Sequence, residues 1–143
     1  MRLAEELIRA EIDIMQRTAG LPIDSTALAV ASNIWRTSQL FRQKMEQEIL
    51  RSYDLSWSAF SSLFIIWVWG PIEMSAIAAS QHVSRPTVTG IVDLLEKRGY
   101  CRRQPMGAPG DRRTVEVILT AAGRTLIEEV FPQFNQGERA FTA

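Results

Sequence analysis

Two short helical patterns separated by a tight turn constrain this chain more than any other feature. The first covers residues 73–81 and the second residues 85–98, with Ser84 as the N-cap and Gly99 as the stop. Each must bury an apolar face, formed by Met74, Ile77 and Ala78 in the first and by Val88, Ile91, Val92 and Leu95 in the second. Two helices joined by about three residues predict a helix-turn-helix.

A β-hairpin is predicted directly after the second helix. Residues 100–104 form a short extended run, and residues 114–119 alternate apolar and polar side chains. The segment between them contains the sequence PMGAPGD, whose Pro and Gly residues no helix would tolerate. A helix-turn-helix followed at once by a hairpin with a long, basic tip is typical of a winged helix.

The rest of the chain is predicted to be helical. Residues 3–17 form a short amphipathic pattern, and residues 25–51 form a long one without Gly or Pro. A core helix follows the N-cap Ser56, and a last helix begins after Thr120 and is interrupted near Pro132. The fold class is therefore mainly α with a small β-hairpin wing.

A chain of 143 residues is the size of one domain, so we expect a single domain over residues 1–143. Its parts are N-terminal dimerisation helices in residues 1–52, a winged helix-turn-helix in residues 53–119 and a short C-terminal dimerisation helix in residues 120–143. The helix over residues 25–51 carries one stripe made of Val30, Ile34, Phe41, Met45 and Ile49. So long a helix in a small domain usually finds a partner helix, in its own chain or in another.

The charges are distributed unevenly along the chain. Sixteen basic and sixteen acidic residues cancel overall, yet residues 84–113 hold a net charge of +4. The basic residues of this segment are Arg85, Lys97, Arg98, Arg102, Arg103, Arg112 and Arg113. Positive charge concentrated on a helix-turn-helix and its hairpin is the electrostatic footprint that binding to DNA phosphates requires.

The second helix of such a unit enters the major groove with its N-terminal residues at the base edges. These residues are small or carry hydrogen-bond donors, and none belongs to the buried stripe: Ser84, Arg85, Pro86, Thr87 and Thr89. The hairpin would bring Arg112 and Arg113 to the neighbouring minor groove, where narrow A·T-rich segments attract arginine. The partner predicted from the residues is double-stranded DNA.

The order of these motifs resembles the MarR-type winged-helix regulators. The segments SRPTVT, EKRG, GDRR and LTAAG occur at the family's spacing, and the resemblance covers about residues 25–140. It implies that Asp111 orients Arg113 in the minor groove and that Arg112 contacts phosphate. It also implies a homodimer on a pseudo-palindromic operator, and repression as the mode of regulation.

Control by a small effector is a further expectation. Trp35, Trp57 and Trp67 could line a pocket for an aromatic or amphipathic molecule, although their spacing is also that of core residues. Two alternatives remain: a redox-responsive regulator that uses Cys101, and a winged-helix module that binds protein instead of DNA. A steep dependence of duplex binding on salt would distinguish DNA binding from the second alternative.

Other classes of protein are disfavoured by composition. One His, one Cys and no Gly-rich phosphate loop leave no recognisable catalytic or metal-binding motif, so we expect no enzyme, no cofactor and no metal. The most apolar stretch, residues 57–69, is too short to span a bilayer, and residues 1–17 do not resemble a signal peptide. We expect a cytoplasmic protein that does not contact membranes.

Overall fold

The computed structural model describes residues 2–106 and 114–143, which are mainly helical with one small antiparallel sheet. The elements in chain order are α1 (Arg2–Thr18), α2 (Ser25–Glu48), the 3₁₀ helix η1 (Leu50–Tyr53), α3 (Trp57–Trp69), β1 (Ile72–Glu73), α4 (Met74–Gln81), α5 (Arg85–Lys97), β2 (Cys101–Pro105), β3 (Val115–Leu119) and α6 (Ala121–Thr142). The predicted fold class is confirmed. None of the helices in these two ranges has the length and apolar character that crossing a membrane requires.

The chain divides into two compact units, residues 1–43 and residues 44–143. In the first unit, α1 and α2 are joined by polar contacts. Asn33 Nδ2 donates to Glu11 Oε2 at 3.3 Å, and Arg36 Nη1 donates to the Leu7 carbonyl at 3.4 Å. Asp24 caps α2 by accepting two backbone N–H groups at its N-terminus.

The core of the second unit is built around α3, which packs against α4, α5, α6 and β3. Most of its apolar residues are buried, among them Phe60, Leu63, Ile65 and Ile66. The hydroxyl of Ser62 is also buried, and it accepts a hydrogen bond from the side-chain amide of Gln81 at 2.6 Å. The bond satisfies a polar group that would otherwise destabilise the core.

The sheet has three strands in the order β1–β3–β2, with both pairs antiparallel. The hairpin predicted from the sequence is present as β2 and β3, in the register Cys101 with Leu119 and Arg103 with Val117. The third strand, β1, was not predicted. It has only two residues, Ile72 and Glu73, which is too short for an alternating pattern to show.

Glu73, predicted to begin the first helix of the helix-turn-helix, lies in β1 instead, and two predictions about the longer helices are also wrong. The long helix was expected to reach Arg51, but α2 ends at Glu48 and the chain tightens into η1, which buries Leu50. The last helix was expected to break near Pro132, but α6 passes through it without interruption. Ile127, Val130 and Phe134 are buried on both sides of the proline, so packing outweighs the hydrogen bond that proline cannot make.

Candidate nucleic-acid interface

The turn between α4 and α5 is set by local hydrogen bonds. His82 adopts a left-handed conformation (φ 54°) and ends α4, and its N–H bonds the carbonyl of Ala79 at 3.2 Å. Ser84 then begins α5, because its Oγ accepts the N–H of Thr87 at 3.3 Å. The left-handed role of His82 was not predicted, since histidine is not the usual residue at such a position.

Helix α5 has one buried face and an exposed N-terminal end. Val88, Val92 and Leu95 are 0% exposed, whereas Ile91, predicted to belong to the same stripe, is only half-buried. The residues predicted to read DNA all lie on the exposed side: Ser84, Arg85, Pro86, Thr87 and Thr89. The Thr89 hydroxyl donates to the carbonyl of Arg85 at 3.0 Å. The N-terminal end of the helix is thus held by local hydrogen bonds and open to a ligand.

The wing is joined to α5 by Arg103 of β2. Its Nη2 donates to Asp93 Oδ1 at 2.6 Å, and its Nη1 bonds Glu96 Oε2. Its backbone N–H also donates to Glu96 Oε1 at 3.0 Å. Burial acts to lower the pKa of Arg103, but hydrogen bonds and charges from these two carboxylates raise that pKa above its ordinary value.

A second arginine joins the C-terminal end of α5 to the start of the α3 region. Arg98 donates to the carbonyl oxygen of Asp54 through Nη1 and to its carboxylate through Nη2, both at 2.6 Å. Asp54 sits in a left-handed conformation (φ 53°) at the end of η1. The pair therefore links two segments that are 44 residues apart in the sequence.

The positive charge of this surface is smaller than a count of arginines suggests. Arg98 and Arg103 are neutralised by carboxylates of the same lobe. Within the described part of the chain, Arg85, Lys97 and Arg102 have no carboxylate in salt-bridge range. The predicted wing residues Asp111, Arg112 and Arg113 lie outside the described residues.

The three tryptophans predicted to contact an effector lie in two settings. Trp57 and Trp67 of α3 are half-buried against Phe134 and Phe131 of α6, with ring centroids 5.9 and 5.7 Å apart. Trp35 is 64% exposed, which contradicts its interpretation as a core residue. It borders a groove of about 240 Å³ between α1 and α2, whose other lining residues include Leu7, Arg36 and Leu40.

Cys101 is buried at the start of β2. Its side chain is 2% exposed, and its thiol points at the carbonyl oxygen of Val92 at 3.8 Å. Burial and the nearby charge of Glu96 raise its pKa to about 11, against the opposing effect of Arg103. This is the environment of a small apolar core residue. In residues 2–106 and 114–143, no group of His, Cys, Asp or Glu side chains is arranged to hold a metal ion.

A model of the MarR family matches residues 55–115, which include α3, α4, α5, β2 and the first residue of β3. The HTH-type transcriptional regulator YwaE of Bacillus subtilis is 37% identical over 97% of this chain and 82% of its own length. The HTH-type transcriptional regulator PecS of Dickeya dadantii is 30% identical over 89% and 78%, respectively.

A solved structure of a DNA-binding protein shares this fold. BpsR of Bordetella bronchiseptica is 25% identical, with a TM-score of 0.69 over 78% of this chain and 83% of that protein. The structure of BpsR was solved to explain how 6-hydroxynicotinic acid regulates DNA binding by BpsR.

Proposed function

Because the chain belongs to the MarR family of transcriptional regulators, we propose that it is a repressor that binds a pseudo-palindromic DNA operator as a homodimer. The observation that carries this proposal is the geometry of α5. Val88, Val92 and Leu95 fix the helix in the core, while the exposed residues at its N-terminal end carry three hydroxyl groups and an arginine, Arg85, that pairs with no carboxylate of the described residues. Such a turn offers donors to base edges and phosphates.

Each residue of the exposed turn has a distinct proposed role. Arg85 is the strongest candidate for a direct contact with a base edge or a phosphate, because its guanidinium carries five donors. Ser84 and Thr87 have hydroxyls that bond each other at 2.8 Å and can also reach phosphate, and Thr89 can contact a base edge. Pro86 lies in the first turn and holds the helix start rigid.

The wing supplies the second contact. We assign Arg113 to the minor groove, with Asp111 orienting it and Arg112 on phosphate, as the family resemblance implies. A minor-groove arginine responds to groove width, whereas a phosphate contact is insensitive to sequence. The two kinds of contact can therefore be separated by comparing specific with random DNA.

The test begins by selecting duplexes from a randomised library with the wild-type protein and measuring its affinity for the recovered and for a random duplex across a range of salt. We expect half-sites about one helical turn apart and a steep salt slope. Arg113→Ala should reduce affinity for the selected duplex more than for the random one. Arg102→Ala, a matched loss of charge on β2, should reduce both to a similar extent. Failure to recover any preferred duplex would refute the proposal and favour a protein-binding role.

The proposed homodimer is supported by apolar residues left exposed in the first unit. Helix α1 exposes Ile8, Ile12 and Met15 at helical spacing, and α2 exposes Val30 and Ile34. Ile34 is 67% exposed, so the stripe predicted on this helix has no partner along this part of the described chain. Covering such side chains with a second copy would remove apolar surface from water.

The dimer can be tested with one apolar and one polar position on the same helix. Ile34→Lys should raise the dimer dissociation constant by at least about tenfold, because a charge would be buried at the interface. Thr37→Lys, which adds the same charge at an exposed polar position, should have little effect. Sedimentation equilibrium distinguishes the two, and a wild-type protein that is monomeric at micromolar concentration would contradict the proposal.

We further propose that a small aromatic or amphipathic molecule releases the repressor. The half-buried rings of Trp57 and Trp67 provide one aromatic surface, and Trp35 provides another beside the guanidinium of Arg36. The regulation of BpsR by an aromatic acid supports an effector of this class. An arginine next to an indole ring suits a planar carboxylate.

Fluorescence titration with phenols and aromatic carboxylates, starting with 6-hydroxynicotinic acid, tests this step. If an effector lowers the affinity of the protein for DNA by some factor, linkage requires that DNA lower the affinity for the effector by the same factor. Replacing the tryptophan that contacts the effector, by Trp35→Phe or Trp67→Phe, should abolish the fluorescence change on titration. Trp69→Phe, at an exposed position, should leave the fluorescence change in place. If no compound in the panel alters DNA affinity, the effector proposal fails while DNA binding itself stands.

A further inference from the structure

Arg103 occupies an unusual position for a basic residue in a DNA-binding lobe. It lies at the middle of the paired part of β2, opposite Val117 of β3, and 27% of its side chain is exposed. Both terminal nitrogens of its guanidinium are taken by carboxylates of α5, and its backbone N–H bonds one of the same carboxylates. The N–H donors that would face a phosphate are instead directed at α5, the helix proposed to read DNA (the reading helix).

We propose that Arg103 is a positioning residue that holds the wing at a fixed place relative to α5. The inference rests on the proposed DNA-binding function, since its purpose is to keep two reading elements in register with adjacent grooves. The guanidinium joins the middle of the hairpin to two points on α5, Asp93 and Glu96, one turn of helix apart. Two anchors on α5 restrict both the rotation of the hairpin relative to this helix and the distance between the two.

The geometry explains why arginine is needed at this position. A planar guanidinium presents donors in a rigid fork and can engage two carboxylates at once, whereas a lysine has a single ammonium group on a flexible chain. Asp93 and Glu96 are neighbours on the surface of α5, and they repel each other unless a cation lies between them. Without Arg103, the reading helix would carry two unpaired negative charges near DNA.

Positioning and simple attraction to phosphate predict opposite results for the partner carboxylates. Removing negative charge from a DNA-binding surface strengthens binding to any duplex if charge alone matters. If Asp93 and Glu96 act by holding Arg103, their removal loosens the wing and reduces the preference for one sequence. Asp93→Asn combined with Glu96→Gln therefore separates the two roles.

The experiment measures affinity for the duplex selected by the wild-type protein and for a random duplex of equal length. Arg103→Ala should lower the ratio of the two affinities by about tenfold, the scale of one lost specific contact. The Asp93→Asn/Glu96→Gln variant should lower this ratio to a similar extent while its affinity for the random duplex holds or rises. Arg103→Lys should give an intermediate ratio, and Arg102→Ala should leave the ratio unchanged.

Circular dichroism and thermal melting establish that each variant is folded at the temperature of the assay. If Arg103→Ala does not fold, the Lys variant and the double carboxylate variant provide the decision. The proposal is overturned if Arg103→Ala keeps the wild-type ratio, or if it weakens both duplexes by the same factor as Arg102→Ala. The first result would assign Arg103 to stability alone, and the second would make it an ordinary phosphate contact.

A DNA-independent measurement keeps this proposal separate from the proposed function. If the wild-type protein prefers no duplex, the proposed function fails, and hydrogen exchange of the β2 and β3 amides decides whether Arg103 holds the wing. Exchange that is faster in folded Arg103→Ala than in Arg102→Ala supports the positioning role. Equal exchange rates in the two variants overturn it.

Discussion

The thiol of Cys101 should be unreactive in the folded protein, and this prediction separates a structural cysteine from a redox sensor. A thiolate is the reactive form, and the pKa of Cys101 is raised from 9.0 to about 11. At any pH below both values, a shift of two units lowers the thiolate fraction about 100-fold relative to an exposed cysteine. The low exposure of the side chain slows modification further, because a reagent must wait for local opening.

The same shift makes stability depend on pH in the alkaline range. The folded state holds the thiol in its protonated form, so the stabilisation is fully present below the unfolded pKa of about 9. It is lost as the pH rises from about 9 towards 11, and the total is about 3 kcal/mol, since one pKa unit corresponds to about 1.4 kcal/mol. The free energy of unfolding of the wild-type protein should therefore fall over this range more than that of Cys101→Val, in which no thiol titrates.

The assay is the rate of alkylation by iodoacetamide at pH 8, measured for the folded protein and for the protein in guanidinium chloride. We expect the folded protein to react at least about 100-fold more slowly. Urea unfolding at pH 8 and pH 10.5, for the wild type and Cys101→Val, measures the linked change in stability. A folded thiol that reacts within tenfold of the unfolded rate, with a change in DNA affinity on modification, would refute the reasoning and restore the redox alternative.

Two further predictions concern helix starts and glycines. Ser84→Ala and Thr120→Ala each remove an N-cap, and each should lower the stability measured in thermal melts by about 1 kcal/mol. Only Ser84→Ala should also weaken DNA binding. Equal DNA affinities of the two variants would argue against a DNA-reading role for α5. Gly123→Ala should destabilise the protein by more than about 2 kcal/mol, because the new Cβ would lie 1.8 Å from the Tyr100 carbonyl oxygen. Gly90→Ala has open space around it and should stabilise the protein by about 0.5–1 kcal/mol. Similar melting temperatures of the two variants would contradict the close packing of α6 on the hairpin.

The local sequence determined the helix-turn-helix almost completely. The N-cap Ser84 and the apolar spacing of residues 88–95 specify where α5 begins and which face it buries, because capping and helical periodicity act over three or four residues. The exposed turn proposed to read DNA follows from the same pattern. The hairpin was also predictable, since Pro and Gly separate two short extended runs.

Tertiary packing decided the features that depend on residues far apart in the sequence. Arg98 and Asp54 are 44 residues apart, and no periodic pattern indicates that they pair. Helix α6 continues through Pro132 because of what its buried residues contact, and Trp35 is exposed because nothing in the described chain covers it. Arg103 counts as positive charge in the sequence, yet the fold places it between two carboxylates, so its role depends on geometry that only the folded chain creates.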